Sequence, residues 1–361
     1  MENLKTILLN FEIPESIKDV KPVGTGKINV TYEVICQNKR YILQKINADL
    51  FNPVEKLMNN ISLICDYLKA KLEKTGGDPN RECLTIVKTK TGKSFYKTLN
   101  NEYYRVFIFI EGTKSLEVIE NEKDFYYTAL AYGKFNKLVS DFDASKLYEI
   151  LPNFHNTPVR YQNLLEAIKN NKSKRLNTCE KEINFLKKHE KFYSCITDLL
   201  DSKKMPMRVT HNDTKLSNVL LDEKTGEPVC VVDLDTIMPG SWCYDFGDSI
   251  RSGCKSGSSD SKEANLINFR MDLFKIYVKG FLEALGKDIT EIEKDNLANS
   301  AVLITLEQAI RYLSDYLDGD VYYRVNDPLQ NLYRCRVQIK LAQDMLNNLE
   351  EMKNYVKSIK V

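Results

Sequence analysis

The sequence carries no excess of charge of either sign, and this absence limits the partners that we expect. Lysine and arginine number 52, and aspartate and glutamate 50, in a chain of 361 residues, which leaves a net charge of +2. A protein dedicated to nucleic acid normally shows a marked basic excess. We therefore expect no nucleic-acid partner.

Long apolar runs are also absent. A membrane-spanning helix needs about 20 predominantly apolar residues, whereas the runs found here, such as Arg105–Ile110, have the length of a strand. The first residues lack the basic start, apolar core and small-residue cleavage site of a secretory signal. We therefore expect a cytoplasmic protein without a membrane partner. We also expect it to act as a monomer or a weak homodimer.

Cysteine and histidine do not occur at metal-binding spacings. The nine cysteines form no Cys-x-x-Cys pair, and the three histidines, His155, His189 and His211, lie far apart in the chain. Such a pattern argues against a disulfide framework and against a cysteine zinc site. Reduced thiols are the better interpretation, and we expect Cys230 and Cys243 to be buried packing residues.

The first ~110 residues of the chain contain a series of short segments typical of β-strands. Alternation and turn residues predict the order β-β-β-α-β-β-β, with a helix that begins at Pro53 and ends at Gly76. The connections are of hairpin length, so we expect an antiparallel sheet. The candidate strands are Val20–Val23, Ile28–Cys36, Arg40–Ile46, Leu84–Lys88, Ser94–Thr98 and Tyr103–Ile110.

Helical periodicity dominates after Gly112. The candidate helices are Glu122–Ser140, Arg160–Lys169, Cys179–Leu200, Asn265–Ala284, Asp295–Tyr316 and Leu329–Tyr355, and a strand-rich island, Val209–Asp235, interrupts them. The length fits two domains or lobes. We predict an α+β fold with two lobes: a small antiparallel one with a single helix at residues 1–112, and a large, mainly helical one at residues 113–361.

The island has the layout of a phosphotransferase. It reads His211-x-Asp213-x-x-x-x-Asn218, followed by an apolar strand, a Gly226 turn and a second apolar strand that leads to Asp233. Phosphoryl transfer needs Mg²⁺, which prefers oxygen ligands. Asn218 and Asp233 are the candidate metal ligands, and Asp213 is the candidate catalytic base.

The same residues have a plainer interpretation, in which Asp213 caps a turn and Asn218 and Asp233 end hairpin strands. The complete pattern favours the catalytic interpretation over this one. For His211 we expect packing and hydrogen bonding that hold the loop, because the neighbouring carboxylate is the better-placed base.

The β-rich region is then the candidate nucleotide site. Gly24-x-Gly26 lies where a phosphate-covering turn belongs, although an ordinary hairpin turn fits equally well. The third strand offers Lys45 as the phosphate-pairing cation. Because side chains alternate along a strand, only one of Lys45 and its neighbour Gln44 can face the nucleotide. The sequence leaves the choice between them open. Glu111 follows the last strand, at the predicted hinge, where backbone groups bind adenine.

These motifs resemble the aminoglycoside-phosphotransferase and choline-kinase branch of the protein-kinase-like fold, and within it the N-acetylhexosamine 1-kinases. The resemblance extends over most of the chain. It is carried by Gly24–Tyr32, Tyr41–Asn47, Arg105–Thr113, Phe154–Pro158, His211–Arg251 and Gln308–Tyr323. Two blocks are especially specific: Asp233–Arg251, and Ile310–Tyr322.

The resemblance implies a kinase that uses ATP and Mg²⁺ to phosphorylate the anomeric hydroxyl of N-acetylglucosamine or N-acetylgalactosamine. Asp213 would be the general base, and Arg311 and Tyr322 would contact the sugar. A surface salt bridge of Arg311 with Asp315 or Asp318, and a core role of Tyr322, are the alternatives.

The glycine-rich turn departs from the family pattern, which reads close to G-x-G-H-I-N-D-T. Lys27 and Val30 replace its histidine and aspartate, while Asn29 fits. Since this turn contributes to sugar recognition in the family, Lys27 and Asn29 are candidate substrate contacts. The alternative acceptors are another sugar, an amino alcohol or an aminoglycoside. A nucleotide-binding regulator and a protein kinase are less favoured, because the catalytic residues are intact and no A-P-E segment follows Asp233.

Overall fold

The structure is a computed structural model that describes residues 4–24 and 28–360. The chain divides into two compact units. The first, here called the sheet unit, consists of Met1–Leu116, Asp141–Leu151 and Asn218–Pro239. The second, the helical unit, consists of Glu117–Ser140, Pro152–Ser217 and Gly240–Val361. The predicted functional division into residues 1–112 and 113–361 stays a prediction.

The described residues contain eleven strands, most of them short. They are β1 (Asp19–Pro22), β2 (Val30–Ile35), β3 (Arg40–Ile46), β4 (Ile86–Val87), β5 (Tyr96–Lys97), β6 (Tyr103–Ile108), β7 (Thr113–Lys114), β8 (Arg208–Thr210), β9 (Val219–Asp222), β10 (Pro228–Val231) and β11 (Met238–Gly240).

Eleven α-helices occur in the same described part of the chain. They are α1 (Leu4–Leu8), α2 (Val54–Thr75), α3 (Glu122–Leu138), α4 (Thr157–Asn170), α5 (Glu180–Lys188), α6 (Thr197–Asp201), α7 (Trp242–Gly253), α8 (Met271–Leu285), α9 (Glu291–Asp318), α10 (Gln330–Asn347) and α11 (Leu349–Ser358). An antiparallel sheet near the N-terminus followed by mainly helical structure confirms the predicted α+β fold.

The sheet unit is built on a six-stranded antiparallel sheet. Its strand order is β1-β2-β3-β6-β4, and β5 also pairs with β6. The predicted order β-β-β-α-β-β-β and the antiparallel pairing are confirmed. In the register of β3 with β6, Gln44 lies opposite Arg105, and Lys45 lies opposite Tyr104.

The two faces of this sheet differ in character. Tyr41 and Leu43 of β3 pack with Tyr104, Val106 and the residues of α1 in one apolar cluster. Because successive side chains of a strand alternate, Lys45 shares the face of Tyr41 and Leu43, whereas Gln44 lies on the other face. Gln44 and its neighbours on that second face form the polar network described below.

Two of the predicted long helices are broken in the structure. The segment Cys179–Leu200 contains α5 and α6, and the Nδ1 atom of His189 contacts the carbonyl oxygen of Phe185 at 2.8 Å, where α5 ends. The segment Leu329–Tyr355 breaks at Asn348, whose side-chain amide donates to the carbonyl oxygen of Asp344 at 2.8 Å. Side chains that bond the last carbonyls compete with continuation of a helix.

Helix α7 was not predicted as a helix, and it lies at the centre of the helical unit. Ser241 is its N-cap and accepts a hydrogen bond from the backbone of Cys243. A Cβ atom added at Gly247 would lie 2.5 Å from the carbonyl oxygen of Ser300. Only glycine therefore permits the close approach of α7 and α9.

The placement of the cysteines agrees with one further expectation. All nine cysteines lie in described residues and are free thiols, and Cys230 and Cys243 are buried, as predicted. Burial raises the pKa of the Cys83 thiol to about 11, so this thiol stays protonated near neutral pH. Within residues 4–24 and 28–360, no helix has both the length and the apolar character that crossing a bilayer requires.

Candidate functional site

The predicted catalytic loop follows β8 in the helical unit. Asp213 is about one-third exposed there, and the Nζ atom of Lys215 lies 2.8 Å from its Oδ2 atom. A carboxylate that is reached by solvent can take a proton from a hydroxyl group bound beside it. The placement suits the role that the sequence predicts for Asp213, which stays a prediction.

Helix α7 holds the first half of this loop. Asp245 is completely buried, and its two carboxylate oxygens accept the backbone N–H groups of His211 at 3.1 Å and of Asn212 at 2.8 Å. Burial raises the pKa of Asp245, and the opposing effects of His211 and of these N–H groups only partly offset it. Asn212 has a φ of 65°, so the bonds to Asp245 support a left-handed backbone conformation.

The next turn of α7 holds the second half of the loop, at Thr214. The carboxylate of Asp248 accepts the N–H of Thr214 at 3.1 Å and two bonds from Arg251, at 2.9 and 2.6 Å. The pKa of Arg251 is raised: its burial acts to lower it, but the charge of Asp248 and, more weakly, Tyr312 and Asp213 outweigh that effect. The residues Tyr244–Arg251, which end the specific block Asp233–Arg251, thus support the predicted catalytic loop.

His211 packs as expected. It is completely buried, and its ring lies edge-on to those of Tyr132 and Phe135 in α3, at centroid distances of 5.6 and 6.0 Å. The backbone N–H of Asp213 donates to its Nδ1 atom at 3.3 Å. A buried ring in these contacts supports the loop rather than the proton chemistry.

In the sheet unit, Asn218 and Asp233 flank the same end of one hairpin. Strands β9 and β10 are antiparallel, and the N–H of Val232 donates to the carbonyl oxygen of Asn218 at 2.9 Å. Asp233 follows with φ 61° and ψ 58°, a left-handed conformation that is uncommon outside glycine and that clusters at functional sites.

This donor set fits Mg²⁺ bound together with a nucleotide. The described residues contain no cluster of three histidine, cysteine, aspartate or glutamate side chains able to hold a metal. Mg²⁺ in nucleotide sites typically takes one or two carboxylates and completes its shell with phosphate oxygens and water. Asn218 and Asp233 offer oxygen atoms of this kind.

A buried ion pair lies two residues beyond Asp233. The guanidinium of Arg105 in β6 pairs with the carboxylate of Asp235, and the two side chains are 1% and 5% exposed. Arg105 also donates from Nε to the Oε1 atom of Gln44 at 2.9 Å. This pair was not predicted from the sequence; its signal was an arginine in an otherwise apolar strand.

The network continues to the segment beside the glycine-rich turn. The side-chain amide of Asn29 donates to the Oδ2 atom of Asp235 at 2.5 Å, and its Oδ1 atom accepts the N–H of Asn47 at 2.9 Å. Asn29, predicted to contact substrate, therefore joins Asp235 to Asn47, the residue that follows β3, within the sheet unit. Gly24 is exposed with a φ of 77°, whereas Gly26 and Lys27 lie outside the described residues.

Lys45 and Glu111 are placed away from this network. The Nζ atom of Lys45 lies 2.6 Å from Glu102, on the face opposite to Gln44. The carboxylate of Glu111 binds Arg40, and its carbonyl oxygen accepts a bond from Arg81 at 2.9 Å. The structure does not bring Lys45 together with Asp235, and its contact with nucleotide stays a prediction. Arg105 is a cation on the other face.

Arg311 lies among aromatic rings in the helical unit. Its guanidinium carbon is 5.2, 5.9 and 5.8 Å from the ring centroids of Phe154, Tyr322 and Tyr323. It forms no ion pair with a carboxylate in the described part of the chain, and it donates a long hydrogen bond, 3.4 Å, to the Oε1 atom of Gln308. Burial would lower the pKa of Arg311, but the charges of Tyr323 and Glu307 raise it above the ordinary value.

The carboxylates of Asp315, Asp318 and Glu307 lie on the same helix as Arg311 but form no ion pair with it in the described part of the chain. Asp318 pairs with Lys172, and Asp315 binds backbone N–H groups, so neither forms the surface salt bridge considered for Arg311. The carboxylate of Glu307 binds Nδ1 of His155 at 2.8 Å and Oγ1 of Thr157 at 2.6 Å. Arg311 therefore keeps donors that a ligand oxygen can use.

Comparison with known proteins identifies the family. The model of the phosphotransferase enzyme family matches residues 19–270, which is most of the chain. This match extends over the predicted catalytic loop, the β9–β10 hairpin and α7.

Solved structures of similar fold include several kinases. An aminoglycoside phosphotransferase from Alicyclobacillus acidocaldarius has a TM-score of 0.64 at 12% identity, with coverage of 99% of this chain and 98% of that one. A microcompartment-associated aminopropanol kinase gives 0.58 at 15% identity, covering 96% and 97%. A spectinomycin phosphotransferase, in complex with ADP and spectinomycin, gives 0.56 at 13% identity, covering 99% of both chains. At these identities the likeness shows the fold alone.

Proposed function

The chain belongs to the phosphotransferase enzyme family, and on that premise we propose that it is a small-molecule kinase that phosphorylates the anomeric hydroxyl of an N-acetylhexosamine with ATP. N-acetylglucosamine and N-acetylgalactosamine are the proposed acceptors. The observation that carries the choice of acceptor is the position of Arg311 among three aromatic rings.

The proposed reaction is a direct transfer. The acceptor hydroxyl attacks the γ-phosphoryl group in line, Asp213 takes its proton, and ADP leaves. Helix α7 keeps the loop in place through Asp245 and Asp248. Asn218 and Asp233 would hold Mg²⁺, which neutralises charge on the phosphate oxygens when bound.

The surroundings of Arg311 favour a neutral, oxygen-rich acceptor over an ammonium acceptor. A choline-like or aminoglycoside amine is bound by carboxylates or by an aromatic cage, and here a guanidinium already lies over the rings. Burial and the charge of Arg311 lower the pKa of the nearby Arg160, which indicates mutual repulsion of two cations. An ammonium group about 5 Å from Arg311 would meet a repulsion of about 3 kcal/mol at an effective dielectric constant of about 20.

A sugar carries groups that Arg311 and the surrounding aromatic rings can bind. Its hydroxyl, ring and acetamido oxygens accept hydrogen bonds from a guanidinium, and its C–H faces pack on aromatic rings. A hydrogen bond to a charged group is typically worth about 1.5–3 kcal/mol. This is the basis of the proposed contact between Arg311, Tyr322 and the sugar.

A coupled ADP-release assay tests the proposal on N-acetylglucosamine, N-acetylgalactosamine, glucose, galactose, glucosamine, choline and kanamycin. We expect turnover on the N-acetylated sugars with phosphate on the anomeric carbon, and little on choline or kanamycin. Turnover confined to the amines would contradict the choice of acceptor while leaving the family assignment intact.

The change Arg311→Gln is expected to lower kcat/KM for the N-acetylated sugar by about 10–100-fold, because one charged hydrogen bond is lost. The KM for ATP should change little. Arg336→Gln is the matched control, since Arg336 is paired with Glu182 outside the aromatic cluster. An equal loss in both variants would argue against a sugar contact by Arg311.

Asp233→Asn is expected to raise the Mg²⁺ concentration needed for half-maximal activity by about 10-fold or more, because a carboxylate ligand becomes a neutral amide. The measurement is a Mg²⁺ titration at saturating ATP and acceptor. Asp222→Asn serves as the control, because Asp222 lies at the other end of the same hairpin and binds the N–H groups of Lys224 and Thr225. An unchanged Mg²⁺ requirement in Asp233→Asn would remove Asp233 from the metal site.

A further inference from the structure

A buried carboxylate organises the turn that follows α9. Asp315 is 5% exposed, and its oxygens accept the backbone N–H groups of Val321, Tyr322 and Tyr323 at 2.9, 2.8 and 2.9 Å. Three consecutive N–H groups that converge on one carboxylate fix the path of the chain strongly, because charge-assisted hydrogen bonds are shorter and stronger than neutral ones.

A second side chain supports the same turn from α10. The amide of Asn331 donates to Asp315 at 2.8 Å and to Asp320 at 2.9 Å. Asp320 has a φ of 60°, and Gly319 before it has a φ of 100°, so the turn contains two consecutive residues in the left-handed region. Such a backbone persists where its surroundings determine it, as Asp315 and Asn331 do here.

The turn carries the rings that surround Arg311. Tyr322 and Tyr323 lie with their centroids 4.8 Å apart, and the hydroxyl of Tyr323 accepts a bond from Gln308 at 3.0 Å. Arg311 lies one helical turn before Asp315 on α9, so the carboxylate joins the helix that carries the cation to the turn that carries the rings. Asp315 itself forms no ion pair with Arg311 in the described part of the chain.

We propose that Asp315 is a positioning residue of the acceptor site, which sets the distance between the rings of Tyr322 and Tyr323 and the guanidinium of Arg311. This inference rests on the acceptor site proposed above. It predicts that a change at Asp315 acts on acceptor binding and leaves nucleotide binding unaffected.

The test is Asp315→Asn in the full chain. The amide keeps the shape but turns an NH₂ group toward backbone N–H groups, so the turn loses part of its support. We expect the KM for the acceptor to rise about 10–100-fold, the range seen when a residue that orients a metal ligand is lost. The KM for ATP should stay within about twofold.

Two further variants complete the test. Asp318→Asn is the matched control, because Asp318 lies on the same helix and pairs with Lys172. Asn331→Ala removes the amide that donates to Asp315 and Asp320, and it replaces Asp315→Asn in the test if that variant does not fold. It should raise the acceptor KM by a smaller factor than Asp315→Asn. Amide hydrogen exchange at Val321–Tyr323 should become faster in both variants of the network, but not in Asp318→Asn.

The outcomes separate this inference from the proposed function. If the wild-type enzyme uses another acceptor, the proposed substrate fails, and the KM of that acceptor still tests Asp315. Equal rises in the KM values of ATP and acceptor, or an unchanged acceptor KM with faster exchange at the turn, would overturn the positioning role.

Discussion

Replacing Asp213 with asparagine is expected to lower kcat by about 10²–10⁴-fold, the usual contribution of a positioned general base. Asparagine has the same shape but cannot take the proton of the acceptor hydroxyl. The loop should keep its conformation, because Asp245 and Asp248 of α7 hold it through the N–H groups of Asn212 and Thr214. ATP affinity is therefore expected to stay within about threefold of the wild-type value.

The measurement is steady-state kinetics together with calorimetric titration of nucleotide. Asp201→Asn is the matched control: it makes the same change at an exposed position of the helical unit and should leave kcat unchanged. Full activity of Asp213→Asn would remove this residue from the mechanism. Loss of nucleotide binding in parallel with kcat would assign Asp213 to nucleotide or metal instead.

The parts of the fold that were predictable are those encoded by local pattern. Strand β3 agrees with the predicted Arg40–Ile46 because a run containing Tyr41, Ile42 and Ile46 follows the turn residues Gln37–Lys39. Helix α2 ends where Gly76 adopts a left-handed conformation, as its glycine predicts. The helix α7 was missed, because its two glycines and its aspartates weaken the helical signal, and close packing against α9 decides its conformation.

The candidate site was predictable only where its residues are neighbours in the chain. The spacing of Asp213, Asn218 and Asp233 is a local pattern. The support of the loop by Asp245 and Asp248 joins residues 33 and 34 positions apart, and the bond between Asn29 and Asp235 joins residues 206 apart. Single-sequence periodicity contains no information about such pairs.

When two adjacent residues of a strand are polar, the sequence does not show which of them faces the site. Gln44 and Lys45 lie on opposite faces, and nothing in the pattern of β3 says which face meets the loop of Asp235. The register with β6 answers this, since Gln44 lies opposite Arg105. Arg105 stands out in the sequence only as an arginine in an otherwise apolar strand, and its burial cannot be read there because it depends on a distant partner.

That burial leads to the largest expected effect on stability. Arg105→Met is expected to lower the free energy of unfolding by about 3–5 kcal/mol, because it leaves the buried carboxylate of Asp235 without its cation. The measurement is equilibrium unfolding in urea, followed by far-UV circular dichroism. Arg40→Met is the matched control on the same sheet: Arg40 is 37% exposed and pairs with Glu33 and Glu111 at the surface, and such pairs contribute about 0–1 kcal/mol.

The double variant Arg105→Met with Asp235→Leu separates the charge from the packing. Replacing both members of a buried ion pair by apolar residues is often neutral, whereas removing one member is strongly destabilising. The double variant should therefore recover more than half of the stability lost in Arg105→Met, although Asn29 loses an acceptor at Asp235. If Arg105→Met costs no more than Arg40→Met, the buried pair does not hold the Asp235 loop on the sheet. If the double variant is the less stable of the two, packing of the arginine side chain, and not its charge, explains the loss.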